Sequence, residues 1–293
     1  MSCPFLFGLI CLFFYSGCHA LNQLSFSGGG SFEAVEIAIL KRLVELEPKK
    51  YDIYTGISAG ALNAAFLSYY DDITAGVLKG EDIYSSLSTR MIYDILPTTG
   101  VSLFNTMPLH KTLSGIISRM PNKPLIHTLI GATNLYSGNL DIYNFEDNDD
   151  YNKVLLMMSS SAIPGLFPPI EYNGQLYADG GTLSNELLQV ENRYQNRYLN
   201  ITFITPYEGY LYNNDPIVCL ADMLKRTVSI ILSNYNNPLA TMNQNCGLQI
   251  GEINKYFVSS KYLEGYNIMN FDKGSQLIDI GYTNLQHKKY KIC

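Results

Sequence analysis

Basic residues are in short supply. Lys and Arg number 20 against 26 Asp and Glu, for a formal net charge of −6. A protein that binds a nucleic-acid backbone needs a basic face, so nucleic acid is not an expected partner. Charge of either sign is scarce at 16%, while 47% of residues are hydrophobic. Such a chain is too apolar and too weakly charged to stay disordered. Six cysteines in 293 residues exclude a small disulfide-stapled fold. No Cys-x-x-Cys or His-x-x-x-His spacing occurs, so neither a metal nor another cofactor is expected. There is no internal repeat, no linker of biased composition, and beyond the first twenty residues no apolar run of spanning length. What these absences leave is one globular domain over residues 21–293.

Met1–Ala20 contains no Lys, Arg, Asp or Glu, and Phe5–Tyr15 is almost wholly apolar. Gly17-Cys18-His19-Ala20 places small residues where a signal peptidase cuts. The expectation is a signal peptide over residues 1–20 and a secreted or luminal protein, with a lysosome or digestive vacuole among its destinations. Cys3, Cys11 and Cys18 leave with that segment, while Cys219, Cys246 and Cys293 remain. Three thiols allow one disulfide and one spare, and the pairing stays open. Asn200-Ile201-Thr202 is a glycosylation sequon that opens the apolar run Ile201–Ile204. Its use depends on whether that run is buried.

Periodicity alternates strand with helix. Leu24-Ser25-Phe26 reads as a strand ending in Ser27-Gly28-Gly29-Gly30, and helical spacing runs from Ser31 to Glu47. Tyr51–Thr55 is a second strand, which meets Gly56-Ile57-Ser58-Ala59-Gly60 before a helix over Ala61–Tyr70. That order implies a parallel sheet with covering helices. Asp71–Pro124 reads as broken helix, a candidate cap, with Ile92–Leu96 and Val101–Phe104 as its apolar elements. Paired strands follow at Leu125–Thr133 and Asn139–Phe145, then an acidic loop, Glu146–Asp150, and a helix over Val154–Ser161. Glu171–Tyr177 turns at Asn173-Gly174 and delivers Asp179-Gly180-Gly181. Beyond Leu199 a strand and a long helix, about Ile217–Ser233, are legible.

Three of these motifs carry chemistry. A Ser between Gly56 and Gly60, at a strand-to-helix turn, holds its hydroxyl clear of the backbone, and the helix N-terminus favours developing negative charge. The consecutive glycines Gly28, Gly29 and Gly30 let main-chain N–H groups converge on an anion. Neither nucleotide-binding pattern is completed, because Ser31-Phe32-Glu33 follows. An oxyanion hole is therefore the better reading. Asp179, at a strand end before Gly180 and Gly181, is able to approach Ser58 as its base, although an ordinary turn is the commoner fate of Asp-Gly.

In this order and spacing the motifs resemble the patatin-like phospholipase family, from about Leu24 to Asn185. Phe26–Gly30 resembles its oxyanion strand and loop, Tyr54–Ala64 its nucleophile elbow, and Ser160–Pro169 the segment leading to its catalytic Asp. Tyr177–Gly181, with Asn185 after it, completes the match. The resemblance implies a three-layer α/β/α sandwich with a mostly parallel central sheet. It also implies a Ser58–Asp179 dyad without His, an oxyanion hole at Gly28, Gly29 and Gly30, and hydrolysis of an acyl ester in a membrane glycerophospholipid or related lipid. Transient contact with a membrane surface follows from such a substrate. Where the family has a basic residue and then Gly, this chain has Phe32 and Glu33. A feeble carboxylate base near neutrality also requires that Asp179 be buried, so that its pKa rises.

Three other readings stay open: an α/β-hydrolase triad of Ser58, Asp179 and His287, an idle lipid-binding or storage protein on the same fold, and an acyltransferase. Lys288, Lys289 and Lys291 read as a solvated tail within reach of anionic headgroups. Headgroup, acyl position, chain length and oligomeric state are not legible in the sequence.

Overall fold

The computed structural model describes residues 20–95, 100–188, 198–209, 211, 216–234 and 249–290. The leader, Leu96, Cys246, Lys291 and Cys293 lie outside them. Strand β1, Leu21–Phe26, is buried almost along its whole length, as a parallel strand covered on both faces must be. It pairs in parallel with β2, Ile53–Ile57, on one side and with β7, Tyr198–Glu208, on the other. Beyond β2 comes β3, His127–Asn134, and beyond β7 comes β8, Gln249–Ser259, both parallel to their neighbours. Antiparallel strands finish the edges. β4 (Leu140–Asn144) and β6 (Gln175–Ala178) pair with β3, β5 (Ile170–Tyr172) with β6, and β9 (Gln286–Tyr290) with β8. The result is a mixed, mostly parallel α/β sheet with flanking helices.

Alternation sorts the two faces. Leu24, Phe26, Tyr54, Ile130, Ala132 and Ile204 point into the larger core. That core is closed by α1 (Glu33–Leu46), α2 (Ala59–Leu67), α3 (Ile73–Ser86), α4 (Met107–Ile117), α5 (Asp150–Ser160) and a C-terminal helix, Gly274–Thr283. Leu21, Ile53, Leu199, Ile201, Phe203 and Ile253 face the other way and pack with Leu188. Polar residues on this second face have one destination. Gln23 Nε2, Ser25 Oγ and Thr55 Oγ1 all donate to the carbonyl of Leu187. Next to it Lys255 Nζ meets Glu186 Oε1 at 2.6 Å, with both side chains buried. The stretch Asn185–Leu188 is thereby tied across the sheet.

The C-terminal third holds more structure than periodicity shows. Strand β8 and the helix at 274–283 follow the helix α6, Leu220–Asn234, which matches the long helix read from the sequence. Lys288 and Lys289 are not a free tail. They lie in β9 and pair with Glu208 and Glu252, because an edge strand beside β8 satisfies both backbone and charge. The two expected cap elements divide. Ile92 and Phe104 are buried, and Tyr93 packs on Phe104 at 4.5 Å and on Phe167 at 5.8 Å. Ile95 and Val101 stay exposed. Asn200 is half-buried in β7 with its amide directed at Asn22.

Candidate active site

Strand β2 ends at Ile57 and α2 begins at Ala59, so Ser58 alone turns the chain from strand to helix. Its φ of 54° and ψ of −132° lie where a side chain is rarely tolerated, at a cost on the order of 1–3 kcal/mol. The flanking glycines make the turn possible by closeness. A Cβ on Gly56 would lie 2.5 Å from the carbonyl oxygen of Gly60, and one on Gly60 would lie 2.2 Å from that of Ser27. The elbow is also roped to β3. Ser58 N–H donates to Ser160 Oγ at 2.9 Å, and Ser160 Oγ donates to the carbonyl of Gly131 at 2.7 Å. Ser160 opens the motif Ser160–Pro169, where nothing in the sequence assigns it a role. A buried hydroxyl beside a strained turn carries no periodic signal.

Asp179 follows the last residue of β6. Its N–H donates to the carbonyl of Ala162 and its own carbonyl accepts from Thr133 Oγ1. Oδ1 accepts from the N–H of Gly181 at 2.7 Å, and Oδ2 accepts from Ser58 Oγ at 2.6 Å. Gly180 is pressed against β3, where a Cβ would lie 2.6 Å from the carbonyl oxygen of Gly131. Asp179 is only 4% exposed. Burial pushes its pKa up to about 7, against the opposing hydrogen bonds from Ser58 and the Gly181 backbone. A carboxylate so placed is a usable base near neutrality.

The glycine loop lies against this pair: a Cβ on Gly28 would come within 2.7 Å of Ser58 Cβ and 3.3 Å of its Oγ. The three glycines are not equivalent donors. Gly28 N–H donates to Asn185 Oδ1 at 2.9 Å, and Asn185 Nδ2 donates back to the carbonyl of Gly28 at 3.0 Å. This corrects the expectation that Gly28 offers its N–H to an oxyanion, since a two-point amide clamp already occupies it. Among the described residues the N–H groups of Gly29 and Gly30 have no partner. Gly30 has φ +59°, and a Cβ there would lie 2.3 Å from the carbonyl oxygen of Ile268. Only glycine fits that bend. Phe32 turns away into the core, edge-on to Tyr207, and Glu33 is buried behind the loop.

The histidines lie elsewhere. His287 on β9 is hydrogen-bonded to Asn254 at 2.8 Å and stacked on Tyr256. Four strand positions separate β9 from β2, roughly 19 Å at the usual interstrand spacing, so the structure does not assemble a Ser58–Asp179–His287 triad. His127 bonds Glu146, and His110 lies edge-on to Tyr151. Among the described residues no group of three His, Cys, Asp or Glu side chains is arranged to hold a metal, and Cys219 is exposed and unbridged. No described helix is long and apolar enough to cross a membrane. An apolar cavity of about 70 Å³, partly open to solvent, begins one turn along α2 from Ser58. Leu62, Phe66, Leu113, Ile117 and Met157 are among its walls.

A family model described as patatin-like phospholipase matches residues 24–190. Among curated proteins, the chain is similar to "Probable lipid hydrolase 463L" of Invertebrate iridescent virus 6. The two are 22% identical over 197 residues, 58% of this chain and 63% of that protein. The chain thus spans less than two thirds of that relative's length. Among solved structures, VipD from Legionella pneumophila aligns with 92% of this chain and 68% of its own, at 12% identity and a TM-score of 0.42. The type III effector protein ExoU aligns with 92% and 55%, at 12% identity and a TM-score of 0.33.

Proposed function

This chain belongs to the patatin-like phospholipase family, and we propose that it is a serine lipid acyl hydrolase of the phospholipase A type, working through a Ser58–Asp179 dyad. The observation that carries the reading is the 2.6 Å hydrogen bond from Ser58 Oγ to a carboxylate buried and raised to about 7.

In the reaction, Ser58 Oγ attacks the ester carbonyl as its proton passes to Asp179 Oδ2. Negative charge develops on the carbonyl oxygen, where the N–H groups of Gly29 and Gly30 and the N-terminal end of α2 stabilise it. Collapse breaks the ester bond. The leaving alkoxide takes the proton from Asp179, and the acyl group stays on Ser58. Water then attacks the acyl-enzyme, giving its proton to Asp179, and the fatty acid departs as Ser58 is reprotonated. No metal is needed at any step, and the acyl chain lies in the cavity beside α2, whose walls are almost wholly apolar.

Membrane glycerophospholipid is the proposed substrate, met by transient contact with the bilayer surface. The uncharged, apolar Phe5–Tyr15 run supports a secreted or luminal setting, and a base with a pKa of about 7 favours a near-neutral one. The test is fatty-acid release from mixed phospholipid vesicles by the wild type, Ser58→Ala, Asp179→Asn and His287→Ala. Loss in the first two variants with retention in the third is expected. A folded wild type that releases no fatty acid would put the idle lipid-binding reading in its place.

A further inference from the structure

Behind the glycine loop sits a pair of carboxyl groups that the dyad does not use. Glu33 and Glu36 are one turn apart at the start of α1, and both side chains are buried. Asn63 Nδ2 bridges them, at 3.2 Å from Oε2 of each. Tyr84 hydroxyl in turn donates to Asn63 Oδ1 at 2.7 Å. Glu36 Oε1 accepts both the N–H and the hydroxyl of Ser27, at 3.1 and 3.3 Å. Ser27 is the residue from which Gly28–Gly30 depart. On the other side, Glu33 Oε1 is buried without a hydrogen-bond partner, and a Cβ on Gly29 would lie 3.2 Å from it.

Two adjacent carboxylates in a dry site cannot both be ionised, and an unpartnered buried oxygen suits a neutral carboxyl far better than an anion. Among the described residues no Lys, Arg or His is paired with either group. The remaining ionisable neighbours are Asp179, whose charge bears on Glu33, and Tyr84. Burial holds Glu33 well above the usual carboxylate range, reinforced by Glu36 and Asp179, and burial pushes Glu36 up to about 8 against its hydrogen bonds from Glu33, Asn63 and Ser27.

We propose that Glu33 and Glu36 together position the oxyanion loop: Glu36 fixes Ser27, and an uncharged Glu33 preserves the positive potential at Gly29. This rests on the acyl-transfer reading of Ser58. Ionisation of Glu33 places negative charge beside Gly29, on the side from which the loop must stabilise the developing oxyanion, and kcat falls.

The test has a kinetic and a thermal arm. The pH profiles of kcat and KM for p-nitrophenyl butyrate are compared in the wild type, Glu33→Gln, Glu36→Gln and Glu36→Leu. A wild-type kcat that declines on the alkaline side is expected, with that decline moved up by about one pH unit or more in Glu33→Gln. Glu36→Gln, which keeps an acceptor for Ser27, retains kcat within about threefold, whereas Glu36→Leu loses about tenfold or more with KM little changed. In the thermal arm, carboxyls whose folded pKa is raised stabilise at low pH and lose that contribution as pH rises through the folded value. Melting of Asp179→Asn, which removes the dyad's own titration, is therefore expected to drop across neutral to alkaline pH, and adding Glu33→Gln to flatten the drop. An alkaline limb unchanged by Glu33→Gln, or a thermal slope unchanged by it, overturns the inference. If Glu36→Leu does not fold, these two readouts still decide. A wild type without turnover refutes the acyl-transfer reading, and the positioning role with it; turnover with an unmoved alkaline limb refutes the positioning role alone.

Discussion

Ser58 and Asp179 reach each other from two strands that run head to head along one edge of β3. Ile57 of β2 pairs with Gly131, and Ala178 of β6 pairs with Thr133 from the opposite direction. Since β4 occupies the other edge of β3 at both positions, β2 and β6 share one edge, and the residue after each faces Ala132. The contact between Ser58 and Asp179 is thus set by strand register. Ser58 turns off into α2 and Asp179 into a short 3-10 turn, which leaves their side chains 2.6 Å apart.

Burial of Asp179 sets both an activity limb and a stability limb. Its base form is lost below a pKa of about 7, so kcat/KM is expected to fall about tenfold per pH unit on the acid side. Asp179→Asn should lower kcat by roughly 10²–10⁴-fold. Because the folded pKa lies above the unfolded one, the neutral acid is the form that the fold prefers. Its contribution is complete at acid pH and lost as pH rises through about 7. Thermal scans of Asp179→Asn should therefore show a Tm raised by roughly 5–10 °C on the alkaline side and unchanged on the acid side. A variant less stable than the wild type at both ends would contradict this.

Ser160→Ala removes the acceptor of the Ser58 N–H and the donor to Gly131. Two buried groups lose their partner, at a cost of roughly 1–3 kcal/mol each. Urea denaturation should show this loss. The rate of Ser58 labelling by a fluorophosphonate should drop in proportion to the loosened elbow, and equal labelling would show that the bridge does not orient Ser58.

Lys255→Met strands the Glu186 carboxylate, which burial already pushes upward against its pairing with Lys255. Removing one partner of such a pair costs roughly 3–5 kcal/mol. Lys255→Met combined with Glu186→Leu should recover most of it. If the double variant is no better than the single one, the ion pair does not explain the anchoring of Asn185–Leu188.

Leu113→Trp fills the cavity beside α2. The expectation is a drop of about tenfold or more in kcat/KM for palmitoyl esters, with butyryl esters little affected. A uniform loss across both chain lengths would place the acyl chain elsewhere.

Much of this arrangement is legible along the chain. Alternation gives β1 through β6, and glycines mark the loop and the elbow, because a close approach or a positive φ demands a residue without a side chain. The order strand, glycine loop, helix, strand, Ser58, helix also requires a parallel sheet. Ser160, Asn185 and the Glu33–Glu36 pair were not legible as site residues. Ser160 and Asn185 act through hydrogen bonds that cross a long stretch of sequence, and such contacts leave no period. Glu33 and Glu36 lie in the first turn of α1, which enters beneath the loop and buries both.

Backbone sterics and side-chain chemistry are properties of single residues and their neighbours, and they suffice to mark the local turns and to single out Ser58, Asp179 and Gly30 as candidates. Which donors stay free, how far burial raises Asp179, and the place of His287 at the far edge of the sheet emerge only on folding. Those outcomes depend on desolvation and strand register, which come into being when distant segments pack.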